Sequence, residues 1–541
     1  MKNLYQQVLK LKNNRKLVYF AVILSFFILI LSLALTYRIR SYNSDDVGIQ
    51  NALLSWKPFS GQILYLSPDT WIINIPFYEV FQHLFSPSRR LLFAEGALFS
   101  IINLSLFYIA IKYFYKKLKI GFNLFTILPI LWLASFNYYF TILFLNTNLR
   151  NFEIGLTFIL FMLVSKILLN EFNPIKSIRS IVLSVLFCLL VGVLILNDPM
   201  YFYYGVLPVI ALSLILYLKA PSVRKQIRNI ISGLVLSGVF YEIVKYVVVK
   251  SGIKISPQPI SFVGFSNIFS NLNTALHGLI LLFGADIFNR SVINLITIGY
   301  LLNFVLLVLV VYFIFSYFKP KTVLKNEKSD IAIIIKYFFS WLAVYVFLVY
   351  FLSNQLVNVL TYRYLVLIPF IAIIFIASEF TLFDKNIKKL FGVIIILATI
   401  FNIGTSIAYQ KDPTIIKYNL SYNYKNSQNF SIINFLESKH LYKGYGQYWD
   451  ANINSYLSDN KIDIYPIQCI NNKTTTFNWF VNGGQLNRPN KNSFLMLDYS
   501  GTPMCSLNDI IRQFGKPKKI YNISGLPILI YNYDIGIKIN E

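Results

Sequence analysis

From Leu17 to Tyr37, and repeatedly to about residue 409, the chain returns to apolar runs of about twenty residues, the length a helix needs to cross roughly 30 Å of hydrocarbon. Backbone N–H and C=O groups cannot be left unsatisfied in hydrocarbon, so such runs fold as helices gathered into a bundle. Read with a window of about 19 residues, they fall near 17–37, 91–111, 122–144, 150–169, 178–197, 200–218, 229–249, 292–316, 331–352, 363–381 and 390–409. The expected fold is therefore an α-helical polytopic membrane protein with about eleven transmembrane helices. Composition agrees, with 56% hydrophobic and only 13% charged residues, too apolar for an ordinary soluble domain. The first run exceeds a signal h-region and lacks a small-residue cleavage site, so it reads as a retained anchor.

The formal net charge of +26 does not point to nucleic acid. Lys and Arg concentrate in the segments 1–16, 112–119, 170–179, 219–228, 318–328 and 383–389, which alternate with loops poorer in them. That alternation orients helices: it places the N-terminus in the cytoplasm and, with an odd number of crossings, the C-terminal tail outside. Two outer segments are long, 38–90 and 250–290, and each holds an apolar stretch too short to cross, 69–85 and 271–288, expected to lie along or re-enter the interface. The division is thus 1–409, the membrane part, and 410–541, a polar Asn-, Tyr-, Lys- and Ser-rich extracytoplasmic tail. In the tail, helix-like "SIINFLESKHL" and "SLNDIIRQF" mix with strand-like "KIDIYPIQ", "SFLMLDY", "KKIYNI" and "LPILIYNYDI", which reads as a small α/β domain. Cys469 and Cys505 fall in it and could pair outside the cell, whereas Cys188 is in an apolar run and reads as inert.

The ionisable residues near hydrocarbon are the informative ones. Under this sidedness Asp45, Asp46, Asp69, Arg150, Glu153, Asp198 and Arg363 all fall at outer helix ends or in outer loops. Asp45 and Asp46 follow the first helix in "YNSDDVGIQNALL"; a carboxylate there can take a proton from an attacking hydroxyl or share a divalent cation. The pair equally fits a helix start, with acids at the positive end, and Asp69 in "SPDTWIINIPFY" fits a cap in the same way. Arg150 and Glu153 are three apart on one helix face, which an interfacial ion pair would also explain. Asp198 in "VLILNDPMYFYY" has apolar sequence on both sides and a Pro after it; a charge so placed is expensive and reads first as functional. Arg363 in "TYRYLVLIPF" suits either phosphate binding or snorkelling, and Glu242 with Lys245 neutralise each other. His83, His277 and His440 are far apart without metal-site spacing, and no phosphate-binding glycine loop, GxSxG or CxxC is present.

Four of these stretches together resemble the GT-C superfamily of integral-membrane glycosyltransferases, which includes protein mannosyltransferases and aminoarabinose transferases: "YNSDDVGIQNALL", the first outer loop through "LSPDTWIINIPFYEVFQHLF", the Asp-Pro of "LNDPMYFYYGVLP" and the Arg-Tyr of "TYRYLVLIPF". The resemblance covers roughly residues 10 to 410, and many relatives carry Asp-Glu where this chain has Asp45-Asp46. It implies an enzyme that moves a sugar from a polyprenyl-phosphate donor to an envelope acceptor on the outer face, usually with inversion. It further implies Asp45 as base, Asp46 as its neighbour or a divalent-metal ligand, and Arg363 on the donor phosphate. Arg150 is taken as a second donor-phosphate contact, with Asp69, Glu153 and Asp198 as the supporting rim, an inference from topology rather than from the resemblance. The rivals are a polytopic lipid or polysaccharide transporter, an O-antigen-type polymerase or ligase, and a scaffold. A transporter would show midplane charges or repeated halves, and neither is apparent.

Overall fold

The computed structural model describes residues 15–37, 44–67, 72–84, 89–121, 123–135, 151–169, 178–219, 221–256, 261–288, 295–318, 331–356, 359–380, 382–409, 428–485 and 490–539. A helix lies on every expected apolar run. In chain order the membrane part comprises α1 (Arg15–Tyr37), α2 (Ser44–Ser55), β1 (Leu64–Leu66), α3 (Ile75–Leu84), α4 (Arg89–Lys117), α5 (Leu124–Ala134), α6 (Asn151–Leu168) and α7 (Ile178–Asn197). There follow a π turn (Phe202–Val206), α8 (Leu207–Lys219), α9 (Arg224–Lys250), β2 (Ile253–Ile255), α10 (Ile268–Leu282), α11 (Leu295–Phe318), α12 (Ile331–Leu352), a 3-10 turn (Val359–Leu365), α13 (Leu367–Phe380) and α14 (Lys385–Tyr409). Among the described residues, α1, α4, α9, α11, α12 and α14 are long and apolar enough to cross a membrane.

α13 is apolar on all sides, and every one of its residues is buried, which makes it a central helix of the bundle. Phe370 on it meets Phe107 of α4 edge-on at 4.8 Å, and Phe107 meets Phe158 of α6 at 5.0 Å. Each such pair is worth about 0.5–1.5 kcal/mol beyond burial and fixes the three helices against one another. α13 starts four residues later than expected because Arg363 belongs to the preceding 3-10 turn; Pro369 then sits in the first helical turn, where its missing N–H is harmless. The two apolar loop stretches are helical: α3 lies inside 69–85, and α10 starts before 271 and ends before 288. At the far end of α13 Glu379 takes a 2.8 Å ion pair from Lys336 and a 2.8 Å bond from Tyr317, about 18 Å along the helix from its start.

The tail contains α15 (Gln428–Ser438), β3 (Lys443–Gly446), α16 (Tyr448–Leu457), β4 (Asp463–Ile470), β5 (Lys473–Thr476), β6 (Val481–Asn482), β7 (Ser493–Met496), α17 (Leu507–Phe514), β8 (Lys519–Ile523) and β9 (Leu526–Tyr531). Six strands form one sheet in the order β5-β4-β3-β7-β9-β8, with β3 parallel to both β4 and β7 and the other pairs antiparallel. The expected α/β tail is therefore present, with Cys469 and Cys505 joined as a disulfide and Cys188 buried and free. A second sheet, β2-β1-β6, ties the pieces together: Leu64 pairs with Ile253 and with Asn482, so both long loops and the tail meet there.

Candidate functional site

Contacts between distant segments gather polar side chains at the end of the bundle that carries the tail. Glu153 lies in the first turn of α6, where the helix dipole favours an acid, and is only 2% exposed. One of its carboxylate oxygens accepts from Asn197 Nδ2 at the end of α7, and the other accepts from Tyr204 Oη at 3.1 Å. Asn197 Oδ1 in turn accepts from the Ile73 N–H at 2.9 Å, which clips the first long loop to Glu153. Asp198 is fully buried; its Oδ1 accepts from the Met200 N–H at 2.9 Å and its Oδ2 lies 3.1 Å from the same Tyr204 hydroxyl.

The chain makes this arrangement by breaking a helix. Pro199 cannot continue α7, and the segment resumes through the π turn Phe202–Val206, which shifts the side-chain register and brings Tyr204 between the two acids. A tyrosine hydroxyl holds one proton, so it donates to only one of the two carboxylates at a time. Two acids converging on one hydroxyl in a buried site require a further proton or a cation to balance them. Arg363 lies close by: it and Tyr204 line one small pocket together with Ile154, Thr157 and Tyr364, and its guanidinium lies 5.3 Å from the Tyr364 ring.

Asp45 and Asp46 open α2, so the helix-start reading of their position holds. Asp45 Oδ1 accepts a 2.5 Å hydrogen bond from Tyr448 Oη, the first residue of α16 in the tail. A few residues on, Asn51 Nδ2 donates to the Asn452 carbonyl at 2.9 Å, and Gln50 Nε2 donates at 2.6 Å to Glu95, a fully buried acid of α4. Ile49, Leu53, Leu196 and Tyr448 belong to one apolar cluster, which places α2, the end of α7 and the tail side by side.

Of the residues singled out in the sequence, Glu153, Asp198 and Arg363 are thus brought around Tyr204, and Asp45 stands at the same end beneath the tail. Asp69 and Arg150 lie outside the described residues, as does the side chain of Asp46. Among the described residues, no group of three or more His, Cys, Asp or Glu side chains is gathered to hold a metal ion. Sequence reasoning missed Tyr204, Asn197, Glu95 and Tyr448. Glu95 had a signal, being a lone acid within the run 91–111; Tyr448 had none, since its role depends on a contact across 403 residues.

Deeper in the tail, Asp450 in the first turn of α16 shares a hydrogen bond with Asp498; burial first, then this acid partner, push its carboxyl up to about 7. Burial acts on Asp498 in the same sense, but the hydrogen bonds from Asp450 and Ser500 outweigh it and hold that carboxyl below its ordinary value.

No protein-family model matches the chain, and no curated protein matches it. Among solved structures, the crystal structure of ArnT from Cupriavidus metallidurans bound to undecaprenyl phosphate is similar, with a TM-score of 0.48 at 10% sequence identity, covering 96% of this chain and 98% of that one.

Proposed function

We propose that the protein is a GT-C-type membrane glycosyltransferase that moves a sugar from a polyprenyl-phosphate donor to an acceptor hydroxyl or amine, with inversion, on the outer face of the membrane. In this reading residues 1–409 form the catalytic membrane domain and 410–541 an extracytoplasmic domain. The observation that carries it is the pocket lined by Arg363 and Tyr204, with Glu153 and Asp198 behind, at the same bundle end as Asp45. The disulfide Cys469–Cys505 supports an oxidising location for the tail, and the Lys- and Arg-rich loops support the same sidedness.

The chemistry asks for two things. As the acceptor oxygen bonds to the anomeric carbon its proton must leave, and Asp45 takes it; as the bond from that carbon to the phosphate oxygen breaks, negative charge grows on the phosphate, and Arg363 answers it, aided by Arg150. In this reading Asp46 is the neighbour of Asp45 or a divalent-metal ligand, and Asp69, Glu153 and Asp198 form the supporting rim, the last two joined through Tyr204. The test is transfer by the purified protein in nanodiscs from a panel of undecaprenyl-phosphate hexoses and pentoses. Asp45→Asn should lower kcat by roughly 10²–10⁴-fold, the usual span for losing a general base. Arg363→Ala should weaken donor use most strongly. Transfer at wild-type rates by either variant would refute the assignment.

A further inference from the structure

We infer that Tyr448 is a positioning residue for Asp45, so that the tail domain completes the catalytic centre instead of merely standing over it. This rests on the reading of Asp45 as the base. Tyr448 is 1% exposed, yet its ring is not anonymous core: it packs at 5.1 Å against Phe477, at 5.3 Å against Trp449 and at 6.3 Å against Trp479, three rings of the tail itself. Its backbone N–H donates to Thr502 Oγ1 at 3.3 Å. The side chain is thus fixed from the tail side, and its one hydroxyl proton is directed at Asp45 Oδ1, 2.5 Å away in the membrane part.

A short carboxylate at the start of a helix has several rotamers open to it, and a donor held rigidly from another domain selects one of them. The proton from the acceptor then goes to a carboxylate whose direction the tail helps to set. The tail reaches α2 by a second, separable contact, Asn51 to the Asn452 carbonyl, and reaches the first long loop by the pairing of β6 with β1. Docking therefore does not depend on the tyrosine hydroxyl. What the hydroxyl adds is the direction of one carboxylate.

The experiment compares Tyr448→Phe, Asn51→Ala, Asp45→Asn and the double variant Asp45→Asn/Tyr448→Phe in nanodiscs, using the undecaprenyl-phosphate sugar that the wild type turns over fastest. Thermal midpoints are read from labelling of the buried thiol of Cys188. Tyr448→Phe keeps the ring and its packing. It should lower kcat by about tenfold or more with the donor KM and the midpoint unchanged, as expected for misdirecting a base and not for losing binding. Asn51→Ala should lower the midpoint with little change in kcat, and the double variant should be no slower than Asp45→Asn alone. If Tyr448→Phe instead behaves as Asn51→Ala does, while Asp45→Asn is inactive, Tyr448 is only an anchor and the inference falls with the glycosyltransferase reading intact. If Asp45→Asn transfers sugar normally, there is no base to position and both fall together.

Discussion

Gly155, two residues beyond Glu153, offers the sharpest test of how the site is held. The N–H of Gly155 donates to Asn103 Oδ1 of α4. A Cβ placed there would stand 2.7 Å from Asn103 Oδ1, 2.8 Å from Leu106 Cβ and 3.0 Å from the Asn103 carbonyl oxygen. Ordinary contacts begin near 3.4 Å, and one of the obstacles is backbone, so α6 must back away from α4 by several tenths of an ångström. Overpacking of this kind costs about 1–3 kcal/mol. Weakening the Asn103 hydrogen bond adds about 1 kcal/mol. Against this, Ala is the better helix former by about 1 kcal/mol. Gly155→Ala should therefore destabilise by about 1–3 kcal/mol. Gly404→Ala in α14 and Gly238→Ala in α9 are matched controls, since a Cβ at either meets nothing within 4 Å. They carry the same propensity gain, so the gap between Gly155→Ala and the controls should be about 2–4 kcal/mol. Labelling of the Cys188 thiol during thermal ramps in nanodiscs gives the midpoints, and transfer assays report whether Glu153 has moved. Equal midpoints for Gly155→Ala and Gly404→Ala would show that α4 and α6 are not as close as described, and the rim built on Glu153 would lose its support.

The tail gives two further tests. Asp450 has its folded carboxyl raised from 3.8 to about 7, so the fold favours its protonated form. Its contribution is complete below about pH 4 and is lost as pH rises to about 7. Asp450→Asn, whose amide still donates to Asp498, should remove that part of the slope of tail stability over this window; hydrogen exchange across α16 from pH 4 to 8 would read it, and an unchanged slope would refute the shared proton. Lys443 and Asp534 form a buried 2.8 Å ion pair in which Tyr445 also donates to Asp534. Burial works to raise the Asp534 carboxyl, but Lys443, Tyr445 and the Gly536 N–H outweigh it and hold it low, so this contribution fades as pH falls through the acid range. Lys443→Met should cost about 3–5 kcal/mol by stranding Asp534, and Lys443→Met/Asp534→Asn should recover much of it, measured as exchange protection in β3.

How much of this was readable beforehand varies by element. A helix such as α11 announces itself through apolar length with no charged residue inside it, because hydrocarbon leaves the backbone no other way to satisfy its hydrogen bonds. The hairpin β8–β9 was likewise legible around Ser524-Gly525, both with positive φ. β3 was not: "KGYG" carries two glycines and no run of β-branched residues, yet it is a central strand flanked by β4 and β7. Its glycines answer to neighbours, since a Cβ at Gly444 would fall 2.3 Å from the Phe494 ring, and Phe494 lies 50 residues away.

The same division runs through the site. Sequence alone placed acids and an arginine at helix ends, since ionisable groups beside twenty apolar residues have few tolerable positions. It could not say that Glu153 and Asp198 meet at one tyrosine, because that follows from a π turn packed against α8 and α12, which brings Tyr204 to both acids. Nor could it bring Tyr448 to Asp45. Periodicity and length are local properties of a chain and survive in its sequence, whereas a hydrogen bond between residues four hundred apart exists only once the intervening helices and sheets have packed and fixed where each end must lie.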